Sequence, residues 1–239
     1  MMKLDILAIA AHPDDVELGC SGTLLKHIHS GSKAGVIDLT RGELGTRGNA
    51  EIRDAEAEAA SRIMGLSARE NMKFRDGFFQ NDEFHQMELI KKIRFYQPEI
   101  VLANAFSDRH PDHPKGSQLI TQSVFLSGLN KIVTEYQGQS QDPWRPKAVY
   151  HFIQSNYLKP DFVVDISDFW EKKMESIMAY GSQFHNPDSS EPETFISSSQ
   201  FLEMVRARAL DLGKSIGVRY AEGFNVERVP GVNGLFDLI

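Results

Sequence analysis

The 239-residue sequence contains a single cysteine, Cys20. An intrachain disulfide is excluded, and the chain has to be held together by its core. No stretch approaches the roughly 18 apolar residues of a membrane span. The opening MMKLDILAIAAHPDD has an apolar centre, but Asp5 lies inside it and no basic region precedes it. It reads as a first strand rather than a secretion signal, and a cytoplasmic location is expected. Positive charge is in short supply: 26 Lys and Arg against 33 Asp and Glu leave a net charge of -7. This argues against nucleic acid or an anionic membrane as partner. There is no Gly-x-Gly-x-x-Gly and no P-loop after the first apolar run, so the usual phosphate cradles are missing. Neither an internal repeat nor linker-like composition divides the chain, and a single domain over residues 1–239 is expected.

What is present suits a core of ordinary size, with 41% apolar residues. Leu4 to Ala10 is a nearly continuous apolar run ending at a turn, the pattern of a buried parallel strand. Helical spacing follows over about Val16 to Ser30, with Gly31 as its stop. Lys33–Leu39 predicts a second strand, and Arg41–Gly48 a loop. Ile52, Ala55, Ala59 and Ile63 define a helix, and a further one covers Asp82–Tyr96. Glu99–Ala103 predicts a third strand, residues 107–114 a polar loop, and about Pro114–Leu129 a helix. Residues 137–147 read as a surface loop. Strands are expected at Ala148–Ile153 and Phe162–Ile166. Asp168 with Glu171 resembles a capping box for a helix to about Tyr180. Residues 185–199 read as loop and Gln200–Ile216 as a last helix. Alternating strands and helices predict an α/β, Rossmann-like three-layer fold with a mostly parallel sheet. Ligands in such sheets bind beyond the carboxyl ends of the strands.

Two chemically loaded stretches fall there. Ala11-His12-Pro13-Asp14-Asp15 follows the first strand, and Ser107-Asp108-Arg109-His110-Pro111-Asp112-His113 follows the third. Either alone is an ordinary turn sequence, because Pro fixes φ and Asp accepts local backbone bonds. Together, at one sheet edge, they supply the mixed imidazole and carboxylate donors that suit zinc. His12, Asp15 and His113 can provide three ligands, leaving Asp14 as a spare carboxylate beside the ion. The same set would accept iron(II) or cobalt. Arg53 lies in the first turn of its helix, where a cation opposes the macrodipole, which suits a functional role better than a structural one. Arg41, Arg47 and especially Arg109, beside His110, bring positive charge toward an anionic substrate. Cys20 reads as a packed helix residue. His27, His29, His85, His151 and His185 are not candidates for ligands.

Ala11-His12-Pro13-Asp14-Asp15 and His110-Pro111-Asp112-His113 resemble the paired signatures of the LmbE-like, or PIG-L, deacetylases. The resemblance extends to Asp38–Glu43, Arg53, Tyr180–Phe184 and Gly217–Phe224. It implies a zinc enzyme that removes acetyl from an N-acetyl sugar. In that reading His12, Asp15 and His113 are the metal ligands and Asp14 the general base. His110 is a cationic oxyanion stabiliser or proton donor oriented by Asp112, and Arg53 binds substrate. Gly217–Phe224, Tyr180–Phe184 and Val16–Gly19 are similar to the branch that deacetylates N-acetylglucosaminyl malate in bacillithiol biosynthesis. A homo-oligomer is implied, with a hexamer as one form. Two other readings stay open: a sugar- or nucleotide-binding α/β module without catalysis, which metal content would distinguish, and a metal hydrolase of another bond, which substrate assay would distinguish.

Overall fold

A computed structural model describes residues 2–184 and 190–238 of the chain. Its centre is a seven-stranded sheet. The strands are β1 (Ile6–Ala10), β2 (Ala34–Thr40), β3 (Ala68–Phe74), β4 (Ile100–Ala103), β7 (Ala148–Phe152), β8 (Phe162–Asp165) and β9 (Ala221–Val226). They lie in the order β3-β2-β1-β4-β7-β9-β8. A separate two-stranded hairpin pairs β5 (Glu135–Tyr136) with β6 (Gln139–Ser140). From β3 through β7 every pairing is parallel. Only β9 runs against its neighbours, β7 and β8.

β1 shows why the first apolar run is a central strand. Leu7 and Ile9 enter one core with Leu89, Ile93, Leu119 and Ile120, from α3 (Glu83–Tyr96) and α4 (Asp112–Ser127). Ile6, Ala8 and Ala10 face the other way, onto Val16, Cys20 and Leu24 of α1 (Asp15–His29). A strand covered on both faces needs apolar residues at every position. A third cluster joins α2 (Ala50–Met64), α5 (Trp170–Met178) and α6 (Ser199–Lys214) through Ala60, Ile177 and Phe201. The expected three-layer α/β architecture is therefore the one observed. No helix among the described residues is long and apolar enough to cross a membrane.

The structure corrects several local expectations. β3, ARENMKF, has no counterpart in the sequence pattern, because charged residues interrupt its apolar ones, Ala68, Met72 and Phe74, which pack on the core. Arg69 there pairs with buried Asp38 on β2 and Glu17 on α1, at 2.8 and 2.6 Å. β9 escapes the pattern for the same reason: Glu222 is buried. Residues 137–147 contain β6. α4 starts at Asp112, so the second motif runs into a helix and does not lie wholly on a loop. No capping box forms at Asp168; Ser167–Phe169 is a 3₁₀ turn, with Asp165 accepting from the Ser167 amide and hydroxyl.

One buried ion pair ties the late strand to the first helix. Lys173 Nζ lies 2.7 Å from Glu222 Oε1 and donates to the carbonyls of Glu17 and Leu18 on α1. Glu222 in turn accepts from the amides of Gly22 and Thr23. Removing one member of such a pair strands the other charge in the interior and typically costs about 3–5 kcal/mol. Lys173→Met is expected to lower the urea midpoint accordingly, and Lys173→Met combined with Glu222→Gln to recover part of the loss. Equal midpoints for the single variant and wild type would show that water reaches Glu222.

Candidate active site

β1 ends at Ala10, and the chain turns through His12, Pro13 and Asp14 into α1. Asp14 has φ 105°, in a region that side-chain-bearing residues avoid. Such backbone costs on the order of 1–3 kcal/mol and persists where the surroundings enforce it. The turn sends two consecutive carboxylates apart. Asp15 faces His12 and His113, and Asp14 faces Arg53, whose Nη1 is 3.6 Å from Asp14 Oδ2.

Each imidazole beside Asp15 is anchored at its far nitrogen. His12 Nε2 lies 3.0 Å from Asp76 and 3.3 Å from Asp112, while its Nδ1 is 3.5 Å from Asp15 Oδ2. His113 Nδ1 lies 3.0 Å from Asp108, and its Nε2 is 3.1 Å from Asp15 Oδ1. Carboxylates behind histidines are the usual outer support of a metal site. Asp15 is itself held by amides: Asn104 Nδ2 donates to Oδ2 at 3.1 Å and Gln154 Nε2 to Oδ1. Asn104 also accepts from the Ala11 amide at 2.8 Å and so fixes the end of β1. Donor atoms of His12, His110 and His113 lie within 4.8 Å of one another, as do those of His12, Asp76 and Asp112.

The electrostatics are those of a pocket in need of a cation. Burial opposes a charge on His12, but hydrogen bonds to Asp112, Asp15 and Asp76 outweigh it and hold its pKa well above the ordinary value. His113 is likewise disfavoured by burial yet raised to about 9, chiefly by the charge of Asp15. Asp15 is held well below the usual carboxylate range by the two histidines, against its burial. Protons on these rings stand in for positive charge that a divalent ion would supply. Asp14 behaves differently. Burial raises its pKa to about 7, the Asp15 charge adds to this, and Arg53 and His12 pull against it. Its Oδ2, and Nε and Nη1 of Arg53, are buried without a hydrogen-bond partner. Unpaired buried polar atoms cost about 1–3 kcal/mol each. A cluster of them around one space marks a place for a polar ligand. The donor set and these orphaned atoms together fit a bound divalent ion and its substrate.

Of the residues singled out in the sequence, His12, Asp14, Asp15, His110, Asp112 and His113 converge. Arg53, buried, joins them through Asp14, its guanidinium lying against Gly42, where a Cβ would come within 3.2 Å of Nη2. Gly42 has φ 65°, a second reason for glycine there. Arg109 stays exposed, its guanidinium 4.5 Å from the Phe195 ring centroid. Arg41 is occupied by Asp54 and Glu51, and Arg47 by Glu191, so neither is free to meet an anion. Cys20 is buried and its thiol pushed up in pKa by that burial, consistent with packing. His151 is a buried hydrogen-bonding residue beside Ser117 and the Asn104 carbonyl. His185 lies outside the described residues.

Two expectations are corrected. The Asp112 carboxylate does not orient His110; it meets His12, Lys115 and the Gly77 amide. Only the Asp112 backbone N–H reaches His110, donating to Nδ1 at 3.2 Å. A cationic His110 is also disfavoured, since burial and the nearby charges of His12 and His113 lower its pKa to about 4. Sequence reasoning missed Asp76, Asp108, Asn104 and Gln154. Asp108 and Asn104 had a visible signal, one within the second motif and the other directly after β4. Asp76 and Gln154 had none.

A sheet edge with twinned His/Asp motifs and a raised carboxylate is a metal-seeking site of the kind enzymes use. Residues 7–124 match the PIG-L family, GlcNAc-PI de-N-acetylase. Diacetylchitobiose deacetylase of Thermococcus kodakarensis is 30% identical over 238 residues, covering 95% of this chain and 84% of that protein. A probable N-acetyl-α-D-glucosaminyl L-malate deacetylase of Bacillus anthracis is 23% identical, covering 75% and 81%. Among solved structures, a conserved protein from Thermus thermophilus superposes with TM-score 0.86 at 34% identity, covering 97% and 98%. The chain belongs to the PIG-L family, and it is an enzyme of the deacetylase class.

Asn104→Ala removes the acceptor of the buried Ala11 amide and one donor to Asp15. A loss of about 1–3 kcal/mol in unfolding free energy is expected. An unchanged denaturation midpoint would mean that water replaces the amide.

Proposed function

We propose that the protein hydrolyses the acetamide of an N-acetylglucosaminyl conjugate, giving acetate and the free amine, with a divalent ion held by His12, Asp15 and His113. The carrying observation is a buried carboxylate, Asp14, with an orphaned Oδ2, next in the chain to Asp15, which His12 and His113 flank. Zinc suits these donors, and iron(II) or cobalt would also be accepted. Bound there, such an ion supplies Lewis acidity toward an amide carbonyl and toward water.

The chain's own residues do the rest. Asp14, raised in pKa by burial, takes the proton of the attacking water and returns it to the departing amine. Arg53 holds the Asp14 carboxylate in place and offers its unpaired Nε and Nη1 to the substrate. Burial disfavours a charge on His110, and with its Nδ1 accepting from the Asp112 amide, the neutral ring carries its proton on Nε2. It therefore acts as a neutral hydrogen-bond donor to the developing oxyanion, and a donor of this kind is typically worth about 3–4 kcal/mol. The proton for the leaving amine falls to Asp14.

N-acetylglucosaminyl malate, in bacillithiol biosynthesis, is the conjugate of this reading; the exposed Arg109 guanidinium at the rim supports an anionic aglycone. Other N-acetyl sugars, diacetylchitobiose among them, are the alternative, supported by the more similar of the curated relatives. A homo-oligomer belongs to the same reading, supported by the exposed Val229, Leu235 and Phe236 near the C-terminus, and a cytoplasmic location goes with it.

Two experiments test the site. Zinc content after dialysis is expected to fall to background in Asp15→Asn and His113→Ala and to persist in His110→Ala. Loss in His110→Ala with retention in Asp15→Asn would favour the three-histidine set instead. Asp14→Asn is expected to keep its zinc and lose about 10²–10⁴-fold in kcat for acetate release. A fully active Asp14→Asn enzyme would remove the general base from the mechanism. Loss of acetate release with chelator and its return with zinc is the accompanying check.

A further inference from the structure

We infer that the narrow cleft between α1, α6 and residues 154–155 is a carboxylate seat, with Arg208 as its anion-binding group and a carboxylate on the aglycone as its occupant. The inference rests on the deacetylase reading above and adds a specificity determinant to it.

The cleft adjoins the reacting centre through two consecutive residues. Gln154 donates to Asp15, and the next amide, of Ser155, donates to Asp108, the support of His113. Both residues line the cleft, as does Leu18, one turn into α1 from Asp15. Its other walls are apolar: Phe195, Phe201, Met204 and Val205. The remaining lining residue is Arg208, half-buried on α6. Room inside amounts to about 20 Å³. A single water needs at least about 10–15 Å³. The space is thus little more than one water needs; it suits the tip of a small polar group and excludes a sugar ring.

Arg208 is poorly matched for a cation in such surroundings. Among the described residues its one hydrogen bond is from Nη2 to the neutral Ser155 carbonyl, at 2.9 Å, and no carboxylate lies within 4 Å of it. Asp108 is the acid that acts on it through space, yet its oxygens already accept from the amides of Arg109, Ser155 and Asn156 and from His113. Burial lowers the Arg208 pKa below the ordinary arginine value, the mark of a guanidinium short of partners. A guanidinium presents paired N–H groups that match a carboxylate in a flat, two-point fit, and a low-dielectric wall strengthens that pairing. Arg109 stands at the entrance with its guanidinium over Phe195, so the approach to the cleft carries the same sign of charge.

Steady-state kinetics of the zinc-loaded protein on N-acetylglucosaminyl malate and on neutral diacetylchitobiose read the seat directly. In Arg208→Gln the ratio of kcat/KM for the malate conjugate to that for diacetylchitobiose is expected to fall at least tenfold, through KM. Arg208→Lys should restore part of it. A ratio within twofold of wild type in Arg208→Gln would overturn the seat, as would equal losses on both substrates. Calorimetric titration of glucosaminyl malate, the amine product, into wild type and Arg208→Gln gives a reading independent of turnover. Should neither substrate be hydrolysed, the deacetylase reading fails, while at least tenfold weaker product binding by Arg208→Gln would still uphold the seat. Equal binding by the two proteins would dismiss it.

Discussion

The constraint on which this structure depends is the burial of carboxylates around the first turn of α1. Asp14, Asp15, Glu17, Asp38, Asp112 and Glu222 are each at most 5% exposed. An ionised group so placed has lost its water and needs a cation or N–H donors in exchange. The chain supplies these one by one. Arg69 crosses from β3 to Asp38 and Glu17, Lys173 from α5 to Glu222, and Lys115 to Asp112. Around Asp15 the compensation is made of histidine protons and amides instead. This is the part of the set that a metal can replace without dismantling the fold.

Asp14 is the exception, and its function follows from that. Arg53 stands off at 3.6 Å, outside hydrogen-bond range, so the carboxylate is steadied without being fully neutralised. A tight two-point pairing would have driven its pKa far down and made it a poor base. Desolvation wins by a margin that leaves it near neutrality. The left-handed backbone at Asp14 is part of the same device, since it sets this side chain against Arg53 while Asp15 meets the histidines.

The sequence is legible where the physics is local. β1 can be read because a strand covered on both faces must be apolar throughout, and the two motifs because their donors lie a few residues apart. Arg53 can be suspected from its unfavourable helix position. β3 and β9 cannot be read, because Arg69 and Glu222 face buried partners that are distant in the chain, and their periodicity looks like that of a surface. The same holds for the supporting groups. Nothing in Asp76 or Gln154 as residues announces that one steadies His12 and the other Asp15. Asp112 belongs to the expected site but serves a different ring, because its neighbour in sequence, His110, is not its neighbour through the side chain.

The bond between Glu222 and the amides of Gly22 and Thr23 spans about two hundred positions of the chain. α1 carries Asp15 at its first turn, and these amides lie in the body of the same helix. During synthesis the segment bearing both catalytic motifs leaves the ribosome long before Glu222 does. Until β9 arrives, Lys173 and the inner face of α1 lack their counter-charge. A nascent or truncated chain that ends before β9 thus holds every proposed metal-binding residue, yet lacks the strand whose Glu222 accepts from the amides of α1, the helix that carries Asp15. A protease that clips ahead of β9 would leave the full set of donors on a chain whose first helix has lost its anchor to Glu222.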